Sequence, residues 1–323
     1  MQIIHHGLYH IVTMGDASGA SKDRAPQRPR VPALQPSALP TSHESIDFAA
    51  SSGKENLNSN CALARICCLT SNIWRKQMGT RGVCLVTGGA GAMGSACGAR
   101  LARDGYAVAL MDINSDGLLA AKARIGGETQ SWHVDQTDEA AVRSAVADIE
   151  KKMGPIVALA NTIGWTNGTK YIDETSEYWH RIVAINYLSA LYVTHPVLTG
   201  MIARRQGAIV YIASDAAKIG TGGEAVYAGA KAAEVAFAKS IARENARFNI
   251  RVNCTAPGAT ETPLMRETEK QYPSMIEKMV KAVPFRRLGT PEEQADVVSF
   301  LLSDDARWIT GQCISTSGGL TMC

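Results

Sequence analysis

The 323-residue chain contains no run approaching the about 18 apolar residues of a membrane span, so no spanning helix is expected. Its eight cysteines (Cys61, Cys67, Cys68, Cys84, Cys97, Cys254, Cys313 and Cys323) form no C-x-x-C pair and no ligand-like grouping with histidine. That argues against a metal site. Most of them stand in apolar stretches, where a free thiol behaves as a small buried hydrophobe, and a reducing cytoplasm is the expected compartment. Net charge is missing from the body of the chain. Residues 1–80 hold eight Lys/Arg against five Asp/Glu, which accounts for the whole formal charge of +3, and the other 25 bases and 25 acids cancel. A neutral body gives nucleic acid no electrostatic footprint. What is present, 46% hydrophobic residues and 29 glycines, suits a globular α/β protein.

Apolar periodicity is also missing from the first 77 residues. Residues 16–60 carry Pro26, Pro29, Pro32, Pro36 and Pro40 among many Ser and Asn. Such a segment buries too little surface to offset its ordering entropy, and 1–77 is expected to be largely disordered. The favoured explanation is a start codon placed too early, with Met78 as the true first residue, because MGTRGVCLVTGG enters a strand almost at once. A targeting peptide is a second explanation, although MQIIHHGLYHIVTM has neither a basic n-region nor a small-residue cleavage site. A tail with a partner of its own is the third.

From Val83 onward, apolar β-type runs alternate with helical stretches. Strands are expected at Val83–Val86, Ala107–Met111, Ser131–Val134, Ile156–Ala160, Ala208–Ile212 and Arg251–Thr255. Helices are expected over 95–104, 115–124, 138–152, 176–203 and 224–247. Repeated βα units of this size predict a single domain over 78–323, a Rossmann-type doubly wound parallel sheet with helices on both faces. Ligands of such sheets bind beyond the strand C-termini, and every motif below falls at that edge.

The turn after the first strand reads Thr87-Gly88-Gly89-Ala90-Gly91-Ala92-Met93-Gly94. Glycines let the backbone approach a pyrophosphate, and the following helix supplies unbonded N–H groups and a positive dipole end. Glycines also terminate strands, so the loop alone is weak. Asp112 strengthens it, closing the second strand 18 residues beyond Gly94. A carboxylate there accepts hydrogen bonds from a ribose 2′-OH and repels a 2′-phosphate, and no Arg or Lys stands nearby to counter it. NAD is therefore expected over NADP. The bland alternative makes Asp112 a cap-like turn residue before Asn114 and Ser115.

Tyr227 and Lys231 are spaced i, i+4 and share one helix face, with Ser214 thirteen residues upstream at the end of a strand. A free phenol has a pKa near ~10, and a cation beside it favours the phenolate, so the pair is expected to lower that pKa and make a general base. Ser214 would hydrogen-bond the substrate oxygen. Y-x-x-x-K alone arises by chance in many chains, and the alternative is an ordinary amphipathic helix.

With these motifs in this order, residues 78–323 resemble the short-chain dehydrogenase/reductase family. The resemblance rests on T-G-x-x-x-x-x-G at 87–94, Asp135, Asn161, Asn186, Ser214, Tyr227, Lys231, and Pro257-Gly258 with Thr262. It implies an oxidoreductase acting on CH–OH groups, with Ser214, Tyr227, Lys231 and Asn186 as the catalytic set. It further implies that Asp135 with Val134 borders the adenine, that Asn161 holds the cofactor-side loop, and that Lys231 also binds the nicotinamide ribose. Asn186 would fix a water linking Lys231 to solvent, and Pro257–Thr262 would meet the nicotinamide carboxamide. Two departures stand out. Ala92 replaces the usual middle glycine, and Asn161-Thr162-Ile163-Gly164 replaces N-N-A-G.

ANTIGW (160–165), ASDAAKIGTGGEAVYAGAK (213–231) and TGQCISTSGGLTM (310–322) are similar to dehydrogenases of 2-hydroxycyclohexanecarboxyl-CoA within that family. The expected substrate is thus a cyclic 2-hydroxyacyl-CoA thioester of alicyclic or aromatic degradation. Its selectivity is expected in Trp165, the 215–224 loop and a mobile segment 263–285 (Leu264, Met265, Tyr272, Met275, Met279), with plain core or lid packing the alternative and the favoured reading for the methionines, while Trp308 is expected to pack. One rival is a 3-oxoacyl-carrier-protein reductase, which needs a basic patch for which Arg204/Arg205 and Arg286/Arg287 are weak candidates. Another is a non-catalytic NAD sensor or scaffold. The small face of the Tyr227 helix (Ala225, Gly229, Ala232, Ala233, Ala236), together with the family habit, predicts a homotetramer.

Overall fold

The computed structural model describes residues 81–271 and 273–323. The expectations for 1–77, for Met78 and for Tyr272 lie outside the described residues, as does the Leu264 side chain. Seven parallel strands form one sheet in the order β3-β2-β1-β4-β5-β6-β7. They are β1 (Val83–Thr87), β2 (Ala107–Asp112), β3 (Thr129–His133), β4 (Ile156–Asn161), β5 (Gly207–Ile212), β6 (Ile250–Pro257) and β7 (Cys313–Thr316). The β1, β2, β4 and β5 runs are almost wholly enclosed, as parallel strands covered on both faces must be. Alternation along β1 sends Val83 and Leu85 into one core and Cys84 and Val86 into the other.

Helices α1 (Ala92–Arg103), α2 (Ser115–Ile125) and α10 (Pro291–Leu302) cover the second of these faces. On the first lie α3 (Glu139–Met153), α5 (Ser189–Arg204) and α7 (Ala225–Asn245). The remaining helices are α4 (Ser176–Val183), α6 (Ala216–Ile219), α8 (Pro263–Gln271) and α9 (Pro273–Ala282).

Several boundaries moved. The third strand begins two residues earlier than expected, at Thr129, and β6 runs on to Pro257. β7 and α10 had not been expected. α10 is announced by Thr290-Pro291-Glu292-Glu293, a capping box in which Thr290 accepts the Glu293 N–H and Glu293 accepts the Thr290 N–H. The segment 263–285, expected as mobile, holds two helices, α8 and α9.

The expected helix 176–203 is present, but it is interrupted. α4 passes through a π turn, Ala184–Leu188, into α5. Asn186 sits in that turn, wholly enclosed, and its amide donates to Ile182 O at 2.9 Å, satisfying a carbonyl that the wider turn would leave open. Against the expectation of no span-like run, Ser176–Arg204 has the length and apolar content of one. Its placement is that of a core helix: Ala190, Val193, Val197 and Met201 are buried under the sheet, and the Thr194 hydroxyl bonds the Tyr211 phenol at 2.7 Å. Trp308, expected to pack, is 96% exposed, because it follows a short 3-10 turn (Asp304–Ala306) that only Ala306 anchors.

Candidate active site

The site is built from the C-terminal ends of the strands. Thr87, Asp112, Asn161 and Pro257 each close a strand, and Asp135 and Ser214 stand two residues beyond one. β1 pairs with both β2 and β4, so the chain reverses its direction of travel there and the loops after β1 and β4 part. A cleft of about 740 Å³ opens between them, lined by Gly88, Gly91, Asp112, Asp135, Thr162 and Trp165. A smaller hollow of about 200 Å³ continues past Thr162, Ile163 and Gly164 to Ser214, Tyr227, Lys231, Pro257 and Gly258, with Met93 on its wall.

The glycine loop is shaped by contacts that only glycine permits. Gly88 adopts φ +62°, and a Cβ on Gly94 would lie 2.1 Å from Gly88 O. α1 can therefore begin hard against the loop. Gly91 caps that helix with no side chain and lines the cleft, and the first turn holds no acid, so nothing competes with an anion for its leading N–H groups and positive dipole end. Ala92 is the first helical residue and does not disturb this. A phosphate-bearing nucleotide fits such a loop.

Asp112 does two things at once. Its Oδ2 accepts the Ala90 N–H at 3.0 Å and its Oδ1 the Asn114 N–H at 2.9 Å, tying the glycine loop to the end of β2. The helix cap itself is Asn114, whose side chain accepts from Gly117. An ionised carboxylate offers about four acceptor positions, so two remain toward the cleft. Asp135 lies exposed on the same wall and accepts the Thr137 N–H and hydroxyl. Thr87 and Asn161 are wholly enclosed instead, beneath the loop. Thr87 donates to Asn161 at 2.7 Å and accepts from the Thr162 N–H, while Thr162 donates to Thr87 O at 2.6 Å. Thr162, a departure from the family pattern, thus adds a bond.

Lys231 is 1% exposed, and its ammonium donates to Ile212 O at 2.9 Å, Glu234 Oε2 at 3.0 Å and Ile163 O at 3.2 Å. Burial is the largest influence and works against its charge, but Glu234 together with Tyr227 and Cys254 more than offsets it, and the Lys231 pKa lies above the ordinary lysine value. Tyr227 corrects an expectation. Burial is the largest influence on its phenol, followed by the opposing pull of Lys231 and the push of Glu224, with Ser214 lowering and Glu234 raising it. The result is a pKa above the ordinary tyrosine value, where the Lys231 charge alone had predicted a lowered one. Glu234 is the residue that sequence reasoning missed.

The Asn186 amide makes no direct hydrogen bond to Lys231, the link expected of it running through a water. It donates to Trp165 O at 2.8 Å and accepts the Trp165 N–H at 3.0 Å, pinning the β4 loop. Gly164 stands between the two, since a Cβ there would lie 3.2 Å from Asn186 Oδ1 and 3.6 Å from Lys231 Nζ. The Trp165 ring carries the Arg181 guanidinium 4.0 Å above it and meets Tyr178 at 5.9 Å. Thr262 accepts the Met265 N–H and starts α8.

Residues 88–321 match the family model described as enoyl-(acyl carrier protein) reductase. The chain is 35% identical over 243 residues to the 3-oxoacyl-[acyl-carrier-protein] reductase FabG of Thermotoga maritima, covering 74% of this chain and 98% of that protein. It is 37% identical over 238 residues to the acetoacetyl-CoA reductase of Shinella zoogloeoides, covering 73% and 97%. Among solved structures, NAD+-bound xylitol dehydrogenase matches with a TM-score of 0.71 at 34% identity over 74% of this chain and 99% of that one. Actinorhodin polyketide ketoreductase with NADPH matches with 0.72 at 29% identity over 76% and 98%. The chain belongs to the short-chain dehydrogenase/reductase family, nicotinamide-dependent oxidoreductases acting on CH–OH groups.

Proposed function

We propose that this enzyme interconverts a hydroxyl and a ketone on the carbon β to an acyl thioester, with NAD, and that its substrate is a cyclic 2-hydroxyacyl-CoA such as 2-hydroxycyclohexanecarboxyl-CoA. The observation that carries the reading is the meeting of Ser214, Tyr227 and Lys231 in one hollow, at the far end of the cleft that starts at Asp112. Tyr227 takes the hydroxyl proton, Ser214 holds the oxygen as charge develops on it, and Lys231 stabilises the phenolate. The nicotinamide, when bound, accepts the hydride. Gly88, Gly91 and the α1 N-terminus would hold its pyrophosphate, and Asp112 its adenosine ribose.

The ring hydroxyl of a cyclic 2-hydroxyacyl thioester sits on the β carbon, as it does in a linear 3-hydroxyacyl thioester. A linear 3-oxoacyl reductase is therefore the second reading, favoured by the names of the two relatives. A carrier protein would need free cations near the cleft. Of the four candidates, Arg287 is engaged by Glu293 and Arg204 by Glu150 at 3.0 Å, whereas Arg205 and Arg286 bond backbone carbonyls. Gly229 on the small face of α7 looks into open space, which suits a homotetramer. The free cysteines among the described residues suit a reducing cytoplasm.

Asp112 is the testable basis of the cofactor choice. Asp112→Asn removes the charge and gives up one of the two backbone N–H bonds that the carboxylate accepts, so the preference for NAD over NADP, measured as a ratio of kcat/KM values, should fall by about tenfold, with thermal unfolding checking that the loop holds. An unchanged ratio would remove Asp112 from cofactor selection.

A further inference from the structure

The buried stripe of α7 runs through Ala230, Lys231, Glu234, Ala238, Ile241 and Ala242. In a stripe otherwise of small and aliphatic side chains until Asn245 at its end, a lysine and a glutamate stand three residues apart, both enclosed. A carboxylate at such depth is strongly unfavourable unless donors meet its oxygens and a cation stands beside it. Glu234 has both. Lys231 Nζ lies 3.0 Å from Oε2, and Asn161 Nδ2 donates to Oε1 at 2.9 Å. Asn161 in turn accepts from Thr87 at 2.7 Å. One chain of hydrogen bonds therefore runs from beneath the glycine loop to the ammonium below Tyr227.

An ammonium has three N–H donors, and the Lys231 donors have three protein acceptors: Ile212 O, Glu234 Oε2 and Ile163 O. Glu234 is the charged one. We infer that Glu234 is a positioning residue: holding Lys231 with one oxygen and Asn161 with the other, it fixes where the ammonium stands and offsets its charge toward Tyr227. The assignment rests on Tyr227 being the base proposed above. Other ionisable groups face this centre. Glu224 stands just before α7, Tyr211 lies on β5, and Cys254 on β6 with Cys313 beside it on β7. Burial holds Tyr211 well above its ordinary value, and a hydrogen bond with Cys313 together with burial does the same for Cys254. Burial also raises Glu224, whereas the bond to Cys254 lowers Cys313.

The test needs no turnover. Nucleotide-free protein labelled at tyrosine Cζ is titrated by NMR, with Tyr227→Phe assigning the signal. Glu234→Gln keeps the size, removes the charge and gives up one of the two hydrogen bonds that the carboxylate accepts, so the Tyr227 midpoint should fall, by up to about one pH unit. A midpoint equal to the wild type overturns the inference. If Glu234→Gln does not fold, thermal unfolding of Lys231→Met is compared with Lys231→Met/Glu234→Met. The single variant leaves a buried carboxylate without its cation and should melt lower, with most of the loss recovered in the double. Equal melting temperatures also overturn it. Turnover by Tyr227→Phe, alongside a lowered Glu234→Gln midpoint, would sink the base assignment while supporting the hold of Glu234 on Lys231.

Discussion

Tyr227→Phe is expected to lower turnover by at least about 10²–10⁴-fold, the usual worth of a positioned acid–base group, and to leave nucleotide affinity nearly unchanged. The ring is retained, so the packing of α7 is kept, and the Lys231–Glu234 pair lies deeper, at 3.0 Å, independent of the phenol oxygen. What disappears is the one group in the hollow able to take a proton from an alcohol, because Ser214 has no base of its own beside it and Lys231 is already charged and surrounded by acceptors. Turnover and nucleotide binding are measured separately, by cofactor absorbance and by ligand titration. Retained turnover would place the chemistry elsewhere. Lost binding would mean that the substitution damaged the cleft.

The second large effect is steric. Gly94→Ala places a methyl 2.1 Å from Gly88 O and 2.8 Å from Thr162 Oγ1. Neither neighbour is a free side-chain end. Gly88 O accepts the Gly91 N–H at 3.0 Å, and Thr162 is tied to Thr87. Loop and helix must separate, which over-packing puts at about 1–3 kcal/mol and therefore a melting temperature lower by several degrees. Nucleotide affinity should fall more than about tenfold, because the N–H groups of α1 no longer converge. Gly222→Ala is the control: nothing lies within 4 Å of its Cβ, and its stability should stay within about 0.5 kcal/mol of wild type.

Most of the frame was legible in the sequence because it rests on local signals. Period-two and continuous apolar runs marked six strands, and the spacing of glycines and Asp112 marked the nucleotide cleft. β7 escaped because four half-buried residues, Cys313–Thr316, carry little pattern. α10 was announced by its capping box, a signal present in the sequence but not read there. The rise in the Tyr227 pKa was not legible, since it depends on how much protein covers the phenol and on two carboxyl groups that surround it. Glu234 is the clearest case. At i+3 from Lys231 it looks like an exposed helix charge, and only the packing of α7 against β6 and β5 turns it inward to meet Asn161, 73 residues away in sequence.

The enzyme is expected to carry out NAD-dependent oxidation at the β carbon of a cyclic acyl thioester. This activity is tested most directly by cofactor reduction with the purified full chain, using trans-2-hydroxycyclohexanecarboxyl-CoA beside a linear 3-hydroxyacyl-CoA, each with NAD and with NADP. Fast reduction of NAD by the cyclic thioester is expected, with the linear one and NADP both slow. Preference for the linear thioester with NADP would contradict it, assigning the enzyme to linear 3-oxoacyl reduction and removing the discriminating roles given to Trp165 and Asp112.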